Sequence, residues 1–93
     1  RGGAGGGVAL MTVPDWLTLR SGSLRPGVVE HVVFVMLDGQ PQYRLDATPA
    51  EGKLACAVTQ TVNGRRLDDG TTYPTPDAAL AGGLEQLRTK LGW

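Results

Sequence analysis

A chain of 93 residues holds one domain and can bury only a thin core. Its 41% hydrophobic and 19% charged residues exclude a disordered chain, and nine basic against nine acidic residues leave no excess charge to pull it onto a phosphate backbone. One cysteine, Cys56, excludes an intrachain disulfide and a thiolate-rich metal site, and fits a reducing, cytoplasmic setting.

Residues 1–10, RGGAGGGVAL, hold five glycines and lead into Met11. They read as a flexible arm or an extension, with a single α+β domain over residues 11–93. Trp16 to Arg20 is a short strand candidate. Turn signals then recur every 12 or 13 residues: Pro26-Gly27, Asp38-Gly39, Glu51-Gly52 and Asn63-Gly64, with Asp69-Gly70 following sooner. Glycine takes positive φ without steric cost, and Asp or Asn before it tolerates the same region, so evenly spaced pairs of this kind predict hairpins in a meander.

The segments between these turns are strand-like. Val32 to Leu37 is apolar on both faces and rich in β-branched residues, which predicts a central strand. At six residues it is also the longest apolar run, far below the roughly 20 that a membrane-spanning helix needs, so no membrane is expected as a partner. Tyr43, Leu45 and Ala47 alternate with Gln42, Arg44 and Asp46; Leu54, Cys56 and Val58 alternate with Ala55, Ala57 and Thr59. Arg65 to Leu67 is a weaker strand candidate.

The period changes at the C-terminus. Leu80, Leu84, Leu87 and Leu91 fall on one helical face. Thr75 suits the N-cap, Pro76 the first turn and Asp77 the positive end of the helix dipole, while Arg88 and Lys90 suit the other end and Gly92 the stop. Gly82 and Gly83 each cost the helix about 1 kcal/mol relative to alanine, which predicts close approach of the helix to the sheet. The expected architecture is two-layered: an antiparallel meander of four to five strands with the helix of residues 76–91 on one face, packed on the Leu54, Cys56 and Val58 side.

Sites of chemistry are sparse. His31, Cys56 and Asp46 are the residue types of a Cys-His nucleophilic site, but Cys56 sits on an apolar strand face, where a thiol is a small hydrophobe rather than a nucleophile. Asp68-Asp69-Gly70 lacks the alternating acids and terminal Glu of a calcium loop. Glu30, Asp46 and Glu51 have no spacing that pairs carboxylates for acid-base work. The glycine runs lack the strand, helix and Gly-Lys-Ser/Thr ending of a phosphate loop. No catalytic residue, metal ligand or cofactor site is expected.

The most informative feature is the second face of the sheet, because one helix covers only one side. With Val32, Phe34 and Met36 toward the helix, an apolar patch of Val33, Val35, Leu37, Ala55 and Ala57 is left facing outward, and such patches mark contact sites. A non-enzymatic module that pairs with itself or another protein through that patch is the first expectation. The alternative is a nucleic-acid-binding module using Arg44, Arg65 and Arg66 on the sheet surface. Seven of nine basic residues are arginine, and alanine and glycine abound, which fits a GC-rich bacterial genome.

The stretch NGRRLDDGTTYPTPDAALAGGLEQLR, residues 63–88, resembles the YegP-type domains, small bacterial modules with a few antiparallel strands and a C-terminal helix. The shared features are the Asn63-Gly64 turn, Tyr73 ten residues later, a Thr-containing helix cap, Gly83-Leu84 within the helix and the closing Leu87-Arg88. The resemblance implies this fold class and a tendency of modules to pair. It brings no catalytic residues.

Overall fold

A computed structural model of the chain describes residues 13–29 and 31–93. The arm expected over residues 1–10 and the carboxylate of Glu30 lie outside the described residues. The elements in chain order are α1 (Asp15–Thr18), β1 (Gly22–Pro26), β2 (Val32–Leu37), β3 (Gln40–Ala50), β4 (Lys53–Gln60), β5 (Thr72–Tyr73) and α2 (Pro76–Leu91). The five strands form one sheet in the order β1-β2-β3-β4-β5, every neighbour antiparallel, so the predicted meander and its α+β class hold.

Turn chemistry sets the register. Asp38 and Gly39 both take positive φ, 54° and 73°, as do Glu51 and Gly52, 52° and 80°. Two consecutive left-handed residues make the two-residue hairpin whose twist matches that of the flanking strands. Asn63-Gly64 behaves differently. Gly64 N–H donates to Gln60 O, and the chain leaves the sheet after a single bridge between Thr59 and Arg66, so Arg65 to Leu67 forms no full strand. The segment expected as a strand at Trp16 to Arg20 is instead the one-turn helix α1 and its exit. Leu17 drops its side chain onto Gly22, where no Cβ intervenes, while Leu19 is 82% exposed, so the segment buries a single aliphatic side chain, which one turn of helix provides.

Helix α2 begins and ends as its sequence dictates. Thr75 Oγ1 accepts from Ala78 N–H at 3.1 Å, and Pro76 occupies the first turn. Gly92 takes φ 74°, while Gly92 N–H donates to Thr89 O and Trp93 N–H to Arg88 O, the paired closure of a Schellman motif. Leu80, Leu84 and Leu87 are buried against the sheet. Each contributes roughly 1.5–3 kcal/mol by leaving water. Trp93 then lies under the Arg20 guanidinium, 4.4 Å from the ring centroid, and beside Trp16, which ties α1 to the end of α2.

The core lies between α2 and one sheet face. Paired residues of an antiparallel ladder share a face. The row Val33–Leu45–Val58 is buried throughout, flanked by Val35 and Cys56. This corrects the expected orientation of β2. Val33 and Val35 are 1% and 0% exposed and belong to the core, with Leu37 packed against it; they are not on the outer face. The pairing of β2 with β3 decides this, because Val33 must share the face of Leu45, and Leu45 that of Val58 under the helix.

Candidate functional site: the open face of the sheet

Among the described residues, no helix lies over the opposite face. Ladder partners assign its residues in rows. Arg25, Phe34, Arg44 and Thr59 form one row, which Arg66 extends through its bridge to Thr59. Val32, Asp46 and Ala57 form the next, and Thr48, Ala55 and Thr72 the one beyond. On the other side of the first row lie Ser23, Met36 and Pro41, where a bulge in β3 breaks the alternation. Ala55 and Ala57 therefore stand where the sequence placed them, and Phe34 and Met36 take the places expected for Val33, Val35 and Leu37.

This face is apolar without being a core. Phe34, Met36, Pro41, Ala55 and Ala57 are each half-buried. Val32 is more fully covered, because the loop from Gly27 leans over it and the Gly27 position abuts its Cγ1. In that loop Val28 is fully exposed and Val29 largely so. A shallow depression of about 340 Å³ opens beside Phe34 and Arg44 and is bounded by Thr59, Thr61 and Gly64.

The arginines of the face come with partners. Arg44 lies 3.7 Å from the carboxylate of Asp46, two residues along the same strand. Arg66 makes a two-pronged ion pair with Asp68, Nε to Oδ1 at 2.6 Å and Nη2 to Oδ2 at 2.9 Å. The same carboxylate accepts from Val58 N–H at 3.1 Å. The Arg66 guanidinium foremost, with the Val58 N–H, holds the Asp68 carboxyl below the usual carboxylate range, and the pair raises Arg66 in turn. Arg25 stands over the Phe34 ring, 5.6 Å from its centroid. Arg65 is exposed in the loop after Asn63, whose Oδ1 accepts from Arg65 N–H, and belongs to no row of the sheet. Of the three arginines singled out by sequence, the structure brings Arg44 and Arg66 to one row and leaves Arg65 apart. Arg25 and Phe34 are the residues sequence reasoning missed. Their signal was the parity of β2, which a strand apolar on both faces does not reveal.

The thiol chemistry weighed for Cys56 does not fit its place. Cys56 is 2% exposed on the helix-covered face, with Sγ against Gly83, and burial pushes the thiol up to about 11. Asp46 pairs with Ala57, the neighbour of Cys56, and so points to the other side of the sheet. Asp69 closes a local turn, accepting from Thr71 N–H and Oγ1, while Gln86 Oε1 accepts from Asp69 N–H. Among the described residues, no three His, Cys, Asp or Glu side chains are gathered so as to hold a metal ion, and no helix is long and apolar enough to cross a membrane. No family model, no curated protein and no solved structure matches the chain.

Proposed function

We propose that the protein is a non-enzymatic interaction module that docks another protein surface through the open face of its sheet. The observation that carries this reading is the chemistry of the face. It presents Phe34, Met36, Ala55 and Ala57 in contiguous rows, while Arg44 and Arg66 already hold Asp46 and Asp68. Apolar surface removed from water yields about 25 cal/mol per Å², whereas an arginine engaged by its own carboxylate has little left for a phosphate.

One observation favours a second reading. Arg25 and Arg44 flank Phe34 in a single row, and a ring between cations is the element on which single-stranded nucleic acids stack. That row offers one ring and, among the described residues, one arginine, Arg25, not paired with a carboxylate, fewer than a strand of several nucleotides engages, and so it ranks second.

The two readings separate with one variant. Phe34→Glu places a charge at the centre of the face and leaves the helix side untouched. In sedimentation over a hundredfold concentration range, the parent chain is expected to associate and the variant to stay a folded monomer. A parent that remains monomeric at hundreds of micromolar and gains salt-sensitive affinity for a single-stranded oligonucleotide, lost in Arg25→Ala, would overturn protein docking in favour of the second reading. Val35 is unsuitable as a probe, since a charge there would break the core rather than the face.

A further inference from the structure

Resting on that reading, we infer that the occupant of the open face is a second copy of the chain. The two copies lie face to face, their β3 strands antiparallel, with the two-fold axis crossing β3 near Leu45. The face is complementary to itself. β3 is the middle strand of five, and its successive outward residues in this region, Arg44 and Asp46, carry opposite charges. A closed pair of identical sheets has an axis lying in the plane between them. An axis along the strands sets Arg44 over the partner's Arg44 and Asp46 over the partner's Asp46, and like charges held together repel. An axis across the strands reverses the rows. Arg44 then lies over the partner's Asp46, and Asp46 over the partner's Arg44.

The same operation keeps each strand over its counterpart and matches the rest of the two rows. Phe34 falls over the partner's Val32, and Thr59 over the partner's Ala57, so apolar meets apolar on β2 and small meets small on β4. The depression beside Phe34 and Arg44 opens toward the partner's Asp46. Sheets packed this way cross at about 30°, a consequence of their twist. Four strands at about 4.8 Å spacing and six residues at ~3.3 Å cover roughly 20 by 20 Å. That is about 400 Å² per copy, or roughly 800 Å² in all, below the span of stable interfaces and within that of transient ones, which predicts a weak, reversible dimer.

The test is a charge exchange in the full chain. Arg44→Asp and Asp46→Arg, each folded by circular dichroism, are expected to weaken self-association at least tenfold. An equimolar mixture of the two is expected to recover a heterodimer, and the double variant R44D/D46R to recover the homodimer. Single variants that associate like the parent, or a mixture that stays monomeric, would overturn the crossing at Leu45. If Phe34→Glu still dissociates the parent dimer in that case, docking through the face stands and only its geometry falls. If the parent itself is a monomer, self-pairing falls, whereas protein docking falls only if the face also takes up the single-stranded oligonucleotide.

Discussion

Replacing Gly83 by alanine sets two known effects against each other. In an ordinary exposed helix the change stabilises by about 1 kcal/mol through backbone entropy. Here an added Cβ would fall inside the contact radius of Cys56 Sγ and 2.7 Å from Cys56 Cβ, against the 3.5–4.0 Å at which carbon atoms rest. The strand cannot yield, because Ala47 pairs with Cys56 on β3 and Tyr73 pairs with Leu54 on β5. So α2 must retreat by about 1 Å, a gap that forfeits a quarter to a half of the dispersion contact of Leu80, Leu84 and Leu87. Overpacking of this kind costs up to about 3 kcal/mol, and subtracting the helix gain leaves a net loss of about 2 kcal/mol. For a domain of this size that is a drop of roughly 10 °C in Tm, readable by urea or thermal unfolding followed by circular dichroism. Ala81→Gly, on the exposed face of the same helix, calibrates the propensity effect alone. Cys56→Ala in the Gly83→Ala background removes Sγ and is expected to recover about 1 kcal/mol as a coupling between the two sites. A Gly83→Ala variant more stable than the parent would refute close approach of helix and sheet.

Three further outcomes follow from local geometry. The Cys56 thiol rises from 9.0 to about 11 in the fold, so between those values the unfolded chain loses its proton while the folded one keeps it. Stability therefore falls as pH rises from 9 to 11, by about 2 kcal/mol, and a Cys56→Ala variant lacks that component of the decline in unfolding curves across the range. Asp68 is shifted the other way by Arg66 and Val58 N–H, so its contribution is present above the ordinary carboxylate range and is lost as pH falls through the depressed value. Asp68→Asn should flatten the acid limb of the stability profile, and an unchanged limb would show that the carboxylate carries no linkage. Glu51 holds φ at 52° without the side chain suited to it. Glu51→Asn creates the Asn-Gly pair that this hairpin turn favours and should stabilise by about 0.5–1 kcal/mol, whereas Glu51→Val should lose more than that in the same melt.

Much of the architecture is local and therefore legible in the chain. Thr75, Pro76 and Gly92 bound α2 because each satisfies or terminates backbone groups within one turn of itself. Asp38-Gly39 and Glu51-Gly52 fold β2, β3 and β4 against each other because left-handed φ is a property of those residues and their neighbours. Leu54, Cys56 and Val58 face the helix because polar and small residues alternate with them, so burial has one choice of face. The glycines of α2 announce close packing for the same reason that they weaken an isolated helix.

The candidate site depended on what was not local. Val32 to Leu37 is apolar at every position, so both of its faces satisfy burial and the sequence of the strand carries no preference between them. Only the ladder to β3, with Val33 beside Leu45 and Phe34 beside Arg44, chose which three residues entered the core. That choice exchanged Val33, Val35 and Leu37 for Val32, Phe34 and Met36 on the outer face, and with it brought Arg25 over the Phe34 ring. Likewise, a single buried position in α1, Leu17, is met by a strand or a turn of helix equally, and the packing of Leu17 on Gly22 decided for the helix. Alternation determines a face only where the two sides of a strand differ in polarity. Where they do not, the face is assigned by the neighbouring strands, and it exists only once the sheet has formed.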